Sequence, residues 1–303
     1  MTDYGKIGLC GGDQRMLPAA AVLCEKGECA VWGLGGRFDR IPAERRERLT
    51  RCADWESAVR GADTVVLPLP TSRDGKTLNC PLAENGESAV KLFDIVENMK
   101  PGAMLCGGML PGLVKKAAAE RGITVVDYYD CDELQIRNAV ATAEGAIAAC
   151  IGTLPVTIAG MKTVVCGYGR VGRTLACRLI ALGATVYAAA RSAKDQAWAE
   201  ADGCHPIPLS DYRADPVTAA AIFNTIPSRI FDGELLGRLK GKPILFELAS
   251  SNAGVDPDAA EKAGVTVVSL PSLPGKTAPE TAGEAIGRTV ARLLDERAER
   301  NGR

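Results

Sequence analysis

The sequence lacks several features that would assign it at once to a common functional class. It contains one histidine, His205; aromatic residues make up only 5% of the chain, and the formal net charge is −1. No apolar run approaches the ~18 residues of a membrane-spanning helix, and the amino terminus has no signal-peptide pattern. Neither charge sign forms a long block that would attract nucleic acid or an anionic membrane. We therefore expect a cytoplasmic protein with neither nucleic acid nor membrane as a partner.

Cysteine is abundant, with eleven residues, but no two of them have the CxxC spacing. With a single histidine in the chain, these cysteines form no recognisable metal-binding motif. Several, including Cys166 and Cys177, fall within apolar runs, where a thiol behaves as a small core residue. An odd number also fits a reducing compartment better than a disulfide framework. The pattern predicts reduced, structural cysteines and no metal site.

A glycine-rich motif lies between two apolar runs typical of β-strands, at residues 163–166 and 185–190, and opens a helical pattern. Its first glycine permits a tight turn, its second lets the backbone approach a pyrophosphate, and its third lets the helix pack close to the strand. The free N–H groups at the start of the helix would face the phosphates. We therefore expect the motif to bind a dinucleotide through Gly167, Tyr168, Gly169, Arg170, Val171 and Gly172.

The end of the second apolar run indicates which dinucleotide binds. Enzymes that use NAD usually place Asp or Glu there to bind the ribose 2′-hydroxyl, whereas this chain has Arg191 and Ser192. A guanidinium and a hydroxyl suit a 2′-phosphate, so the sequence favours NADP over NAD. The alternative is that Arg191 is an ordinary surface residue.

Short apolar runs alternate with helical patterns along the whole chain, which is typical of βαβ units and parallel sheets. We predict an α/β fold of two Rossmann-like parallel-sheet domains joined by a long helix, with the C-terminal helix packing back on the first domain. The first domain would comprise residues 1–152 and 279–303, including the bridging helix 132–152, and the NADP-binding domain residues 153–278. In the first half, strands are expected at 6–10, 29–34, 64–69, 103–106 and 123–126, and helices at 16–26, 43–51, 89–99 and 113–121.

Further cofactor contacts are expected where strands of the second domain end, because open α/β sheets bind ligands at the carboxyl ends of their strands. Two such loops would line the nicotinamide half of a dinucleotide, through Asn224, Thr225, Ile226, Pro227, Ala249 and Ser250. Ordinary turn chemistry is the alternative for these polar groups. A proline-rich loop near residue 276 would present Lys276 to the pyrophosphate or to a substrate carboxylate.

Substrate-binding candidates come from loops of the first domain and from the bridging helix, at Gly12, Asp13, Arg15, Ser72, Arg73 and Thr142. Arg15 and Arg73 are suited to an acidic substrate, since a guanidinium binds a carboxylate through two hydrogen bonds. The sequence singles out no acid or base; Asp13 and Lys276 are the candidates. His205 opens a short strand and should lie at its amino end, which disfavours a histidine proton relay.

Several segments together resemble one family, the A subunit of dipicolinate synthase of endospore-forming bacteria. Their order along the chain carries the resemblance: residues 11–15, 142–147, 167–172, 190–192, 224–227, 247–250, 273–279 and 281–283. The chain departs from the family pattern at residues 251–254, where Ser-Asn-Ala-Gly replaces a Pro-Gly-Gly run. The resemblance implies that the chain, with a flavoprotein B subunit, oxidises dihydrodipicolinate to dipicolinate in the mother-cell cytosol during sporulation.

The sequence leaves two other functions open. One is an alanine- or 2-hydroxy-acid-type dehydrogenase, which shares the two-domain layout; the other is a non-catalytic NADPH-binding subunit that scaffolds the flavoprotein. The sequence also leaves open whether the nucleotide or the partner's flavin takes the electrons. We expect a homo-oligomer in addition to the partner subunit.

Overall fold

The structure is a computed structural model that describes residues 4–84, 89–249 and 254–301. The chain divides into two compact units, Met1–Arg137 with Pro279–Arg303, and Asn138–Ala278. Each unit is built on a six-stranded parallel sheet. The predicted fold class, two Rossmann-like domains, is therefore confirmed. No helix among these residues is long and apolar enough to cross a membrane.

The first unit has the strand order β3-β2-β1-β4-β5-β6. Its strands are β1 (Lys6–Cys10), β2 (Glu28–Trp32), β3 (Leu49–Arg51), β4 (Thr64–Val66), β5 (Met104–Gly107) and β6 (Thr124–Asp127). Its helices are α1 (Met16–Leu23), α2 (Ala43–Arg46), α3 (Trp55–Val59), α4 (Leu92–Asn98), α5 (Gly112–Glu120), the first part of α6 (Asp132–Thr153) and α13 (Pro279–Asn301). Strand order reverses direction between β1 and β4, the position at which such sheets bind ligands.

Two predictions for this unit are wrong. The helix expected at 43–51 ends at Arg46, and after a two-residue turn the edge strand β3 begins at Leu49. The strand expected at 64–69 ends at Val66, before Pro68 and Pro70, because proline cannot donate a ladder hydrogen bond.

The C-terminal helix α13 packs on α1, which confirms the prediction that it packs back on the first domain. Its apolar side chains recur every four residues at 282, 286, 290 and 294, and Ile286 and Val290 are fully buried in the core of the first unit. Gly283 lets the two helices approach closely, since a Cβ there would lie 2.1 Å from the Arg15 carbonyl oxygen. The last segment of the chain is thus part of the first unit.

The second unit has the same arrangement of strands, in the order β12-β11-β10-β7-β8-β9. Its strands are β7 (Lys162–Cys166), β8 (Thr185–Ala190), β9 (His205–Pro208), β10 (Ala221–Asn224), β11 (Ile244–Glu247) and β12 (Val267–Ser269). Its helices, besides the rest of α6, are α7 (Arg170–Ala181), α8 (Ala193–Ala201), α9 (Leu209–Ala214), α10 (Gly233–Arg238), α11 (Pro257–Ala263) and α12 (Leu273–Thr277). Here the strand order reverses between β7 and β10.

All eleven cysteines are free thiols, and seven are buried. Cys166 is a core residue of the second sheet, as expected, and burial raises its pKa. Cys177 is exposed instead, because it lies on the outer face of α7 while Leu175, Ala176 and Leu179 face the core. The described residues include no cluster of three or more His, Cys, Asp or Glu side chains suited to a metal ion.

Candidate nucleotide-binding site

The glycine motif forms a tight turn from β7 into α7. Gly167 has a φ of +90°, a left-handed conformation that favours glycine. A Cβ on Gly172 would lie 2.0 Å from the Gly167 carbonyl oxygen, so any larger residue would push the helix away from the turn. Gly169 caps α7, and a Cβ there would meet nothing within 4 Å. The first turn of α7 contains no acidic residue, which leaves the positive end of the helix open to an anion.

The other motif residues have different surroundings. The Tyr168 side chain points into the core, where its hydroxyl lies 3.1 Å from Asp202 and 3.4 Å from the Cys204 sulfur, and burial raises its pKa. Only the backbone of Tyr168 is therefore placed to meet a ligand. Arg170 is exposed and Val171 is half-buried on the first turn of α7.

A salt bridge supports the turn from beneath. Arg173 donates to both oxygens of Asp202, from Nε at 2.6 Å and from Nη2 at 3.0 Å, and its guanidinium carbon lies 3.9 Å from the centre of the Trp198 ring. Because the same Asp202 carboxylate also accepts the Tyr168 hydroxyl, the charge pair connects α7 with the glycine turn. The hydrogen bonds from Arg173 lower the pKa of Asp202.

Arg191 and Ser192 lie at the carboxyl end of β8, next to the glycine turn in the sheet. Both are exposed. The Ser192 hydroxyl caps α8 by accepting the Asp195 N–H at 3.1 Å. Arg191 has no hydrogen-bond or ion-pair partner among the residues that the structure describes. Its charge is thus available to an anion at the carboxyl end of β8.

The loop after β10 sits against the glycine turn. Asn224 lies opposite Cys166 of β7 in the sheet register, so both strands end at the same edge. The Thr225 hydroxyl donates to the Cys166 carbonyl at 2.8 Å, and a Cβ on Gly167 would lie 2.5 Å from this hydroxyl oxygen. Ile226 is half-buried and Pro227 is exposed.

A buried carboxylate, Glu247, holds this loop together and was not predicted as a site residue. It lies opposite Asn224 in the sheet and is 2% exposed. One carboxylate oxygen accepts from Asn224 Nδ2 and the other from the Ala249 N–H, each at 2.8 Å. Burial raises the pKa of Glu247, although both hydrogen bonds oppose that change. Ser250, which follows Ala249, lies outside the described residues.

The corresponding turn in the first unit is closed. A Cβ on Gly12 would lie 2.3 Å from Met16 Cγ and 2.9 Å from Pro68 Cβ, so side chains already fill the space above the turn. The Asp13 carboxylate accepts the Arg15 N–H at the start of α1, where a phosphate would otherwise bind. Two turns at equivalent points of two similar sheets therefore differ in their capacity for an anion.

Arg15 is buried and already paired. It donates to both Asp13 oxygens, at 2.9 and 2.8 Å, and also to the Leu69 carbonyl oxygen. Because Asp13 accepts these bonds on both oxygens, the pair forms a fixed, neutral unit at the carboxyl end of β1. Arg15 Nη1 makes no hydrogen bond within the described part of the chain, which leaves it able to donate to a ligand.

The remaining predicted residues are scattered over both units. In the first unit, the Ser72 hydroxyl donates a hydrogen bond to Asp74 Oδ1 at 2.9 Å. Arg73 is exposed and has no partner among the described residues. In the second, Thr142 donates to the Asn138 carbonyl within α6, and Lys276 is exposed on α12 without a partner in the described ranges. His205 begins β9 and thus lies at the amino end of that strand, as expected.

The chain shares its fold with a transhydrogenase and an alanine dehydrogenase. A transhydrogenase from Sinorhizobium meliloti matches 97% of the chain and 94% of its own with a TM-score of 0.71 at 16% identity. An L-alanine dehydrogenase matches 95% of the chain and 89% of its own with a TM-score of 0.65 at 14% identity. At these identities the comparison shows the fold alone.

Other proteins are more similar to the chain in sequence. The family model for the N-terminal domain of the dipicolinate synthase A subunit matches residues 6–129. The A subunit of dipicolinate synthase from Bacillus subtilis (strain 168) is 29% identical over 291 residues, 96% of either chain. Crystal structures of this protein from Bacillus subtilis and Bacillus halodurans match with TM-scores of 0.86 and 0.87, at 28% and 26% identity, over 99% and 97% of the chain and 99% of theirs. The resemblance predicted from the sequence is confirmed: the chain is a relative of the dipicolinate synthase A subunit and has a dehydrogenase-like fold.

Proposed function

We propose that this chain is an NADP-linked oxidoreductase subunit that, with a flavoprotein partner subunit, oxidises dihydrodipicolinate to dipicolinate during sporulation in the mother-cell cytosol. The observation that carries the proposal is the open glycine turn at Gly169 beside Arg191, which no described residue pairs with. The turn is suited to a pyrophosphate, and the arginine to the 2′-phosphate that distinguishes NADP from NAD. The named relatives supply the substrate class.

The chemistry makes modest demands on the protein. Dihydrodipicolinate loses a hydride and a proton to become an aromatic ring, so dihydrodipicolinate and NADP⁺ give dipicolinate, NADPH and H⁺. When bound, the oxidised nicotinamide accepts the hydride. Because aromatisation drives the step, a strong general base is unnecessary, which agrees with the position of His205 at the amino end of β9. That position also counts against the 2-hydroxy-acid dehydrogenase alternative.

A substrate with two carboxylates needs cationic groups. Arg73 is exposed, and no described residue pairs with it, so it is our candidate anchor in the first unit. Arg15 is held by Asp13 and can add one donor, Nη1, rather than a two-bond grip. Lys276 keeps its predicted role, a contact with the pyrophosphate or a substrate carboxylate. Asp13 is a weaker candidate for a catalytic base, since both its oxygens bind Arg15.

Nucleotide titrations test the cofactor part of the proposal. The purified chain should bind NADP⁺ more tightly than NAD⁺, and Arg191→Ala should weaken NADP⁺ by about tenfold to hundredfold, the value of one charge-assisted contact. Affinity for NAD⁺ should hardly change, because its ribose presents no charge to residue 191. Lys194→Ala, a nearby exposed lysine on α8, is the matched control. Equal loss for both nucleotides would reject the 2′-phosphate assignment.

The reaction itself is tested with freshly generated dihydrodipicolinate, NADP⁺ and the chain, alone and with its flavoprotein partner. Formation of dipicolinate and NADPH in equal amounts is the expected result. Dipicolinate formed without NADPH, only when the flavoprotein is present, would instead support the scaffold alternative.

A further inference from the structure

Glu247 is a buried carboxylate that forms no ion pair with any described residue. Its two partners, the Asn224 amide and the Ala249 N–H, are neutral donors. Gly254 packs closely against it, since a Cβ there would lie 2.6 Å from one carboxylate oxygen. No lysine or arginine in the described ranges forms an ion pair with it. A buried, ionised carboxylate destabilises a protein unless a favourable interaction offsets the loss of its hydration.

Its position in the sheet indicates which group interacts favourably with this carboxylate, provided that the proposed function holds. A dinucleotide straddles the point where strand order reverses, here between β7 and β10. Arg191, at the end of β8, marks the adenosine side. The nicotinamide therefore falls on the other side, over the ends of β10 and β11. Glu247 is the last residue of β11.

We propose that Glu247 makes the site prefer the oxidised, positively charged nicotinamide over the reduced, neutral ring. The two hydrogen bonds donated to Glu247 favour the ionised carboxylate and oppose the effect of burial, since N–H groups cannot accept a hydrogen bond from a protonated carboxyl group. An ionised group in a buried, low-dielectric setting acts on a nearby opposite charge with little screening. The reduced ring has no net charge and gains nothing.

This preference suits an oxidising step. Tighter binding of NADP⁺ makes the bound nucleotide a weaker hydride acceptor, but the formation of an aromatic ring supplies driving force to spare. In a mixture of the two nucleotides, the site then binds NADP⁺ selectively and releases NADPH more readily after the reaction. Glu247 is thus assigned a specificity-determining role, acting through its charge and not through contact with the substrate.

The test compares affinities for NADP⁺ and NADPH in the wild-type chain, Glu247→Gln and Glu247→Asp. The wild type should prefer NADP⁺, and Glu247→Gln should lower that preference by about tenfold or more, as expected for a unit charge within about 10 Å. The aspartate variant keeps the charge and should keep the preference, even if both nucleotides bind more weakly. Solvent-exposed Glu234 on α10, changed to glutamine, is the matched control.

The outcomes are distinguishable. If Glu247→Gln weakens both nucleotides equally, Glu247 is a structural residue and the inference is wrong. If the wild type binds NADPH at least as tightly as NADP⁺, the inference is wrong. This result does not depend on whether any variant folds. If the wild type binds neither nucleotide, the proposed function fails first and takes the inference with it.

Discussion

Two glycines of the same turn should respond in opposite ways to replacement by alanine. A methyl group on Gly169 meets no atom within 4 Å and projects into the space that we assign to the pyrophosphate. The backbone of Gly169 has a φ of −79°, which alanine adopts without strain. A methyl group on Gly172 would overlap the Gly167 carbonyl oxygen at 2.0 Å. Gly169→Ala should therefore fold normally and bind poorly, whereas Gly172→Ala should fold poorly.

The magnitudes follow from these contacts. Overpacking of a rigid backbone contact costs about 1–3 kcal/mol or more, which for a unit of this size lowers the apparent Tm by roughly 4–10 °C. Gly169→Ala should leave the Tm of the free protein unchanged. It should weaken NADP⁺ by about tenfold to hundredfold, because one or more charge-assisted hydrogen bonds to the pyrophosphate are lost.

Thermal unfolding with and without nucleotide measures both effects at once. At a NADP⁺ concentration of ~100 times its Kd, the wild type gains about 2.7 kcal/mol of stability from binding. A tenfold weaker variant gains about 1.4 kcal/mol at that concentration, so its nucleotide-induced Tm shift should fall by about half. A full NADP⁺ shift in Gly169→Ala would refute the placement of the pyrophosphate at this turn. A wild-type Tm in Gly172→Ala would show that the helix can move away without cost.

Two further substitutions test the supports of each unit. Asp202→Asn removes the negative charge that is paired with Arg173. It should lower the free energy of unfolding by about 1 kcal/mol at neutral pH, after allowance for the partly exposed arginine. Because the folded-state pKa of Asp202 is lowered, this stability is present above pH ~4 and is lost as pH falls through the folded pKa, so urea unfolding curves of the two proteins should converge in acid. Gly283→Ala puts a Cβ 2.1 Å from the Arg15 carbonyl oxygen and should loosen α13, measurable as faster amide hydrogen exchange in α1 and α13.

Each of these substitutions has a matched control. Asp215→Asn removes an exposed ion pair with Lys240 and should leave urea unfolding unchanged at either pH. Gly237→Ala, on α10 with open space around it, should raise stability slightly. If Asp202→Asn behaves like its control, the salt bridge beneath the glycine turn does not support it; protection of α13 unaltered in Gly283→Ala would contradict the close helix contact.

In the first unit, sequence periodicity predicted every strand except the edge strand β3. β3 has the sequence Leu-Thr-Arg, and only Leu49 is buried. It follows an arginine-rich segment with helical character, so the boundary between α2 and β3 left no mark in the hydrophobic pattern. The helix α3 was also missed, although Asp54 caps it by accepting the Ser57 N–H and is a recognisable start signal.

Site residues with roles set by backbone geometry were predictable, and those with roles set by burial were not. The spacing of Gly167, Gly169 and Gly172 reports directly on a turn. Glu247 was recognised only as part of a family motif, because the sequence does not reveal that its carboxylate is buried. Arg15 was expected to be a free anchor, yet the short spacing from Asp13 allows the two side chains to pair.

The two units show why strand order alone does not assign a nucleotide. In both sheets the strand order reverses beside the first strand, and in both a glycine follows that strand. In the first unit, Met16 and Pro68 cover the turn, and the Asp13 carboxylate holds the position of an anion at the start of α1. In the second, Gly169 is uncovered and α7 begins without an acid. Because Asp13 already accepts the N–H at the start of α1, we propose that the second unit takes the phosphates and that the first unit binds the substrate through other groups.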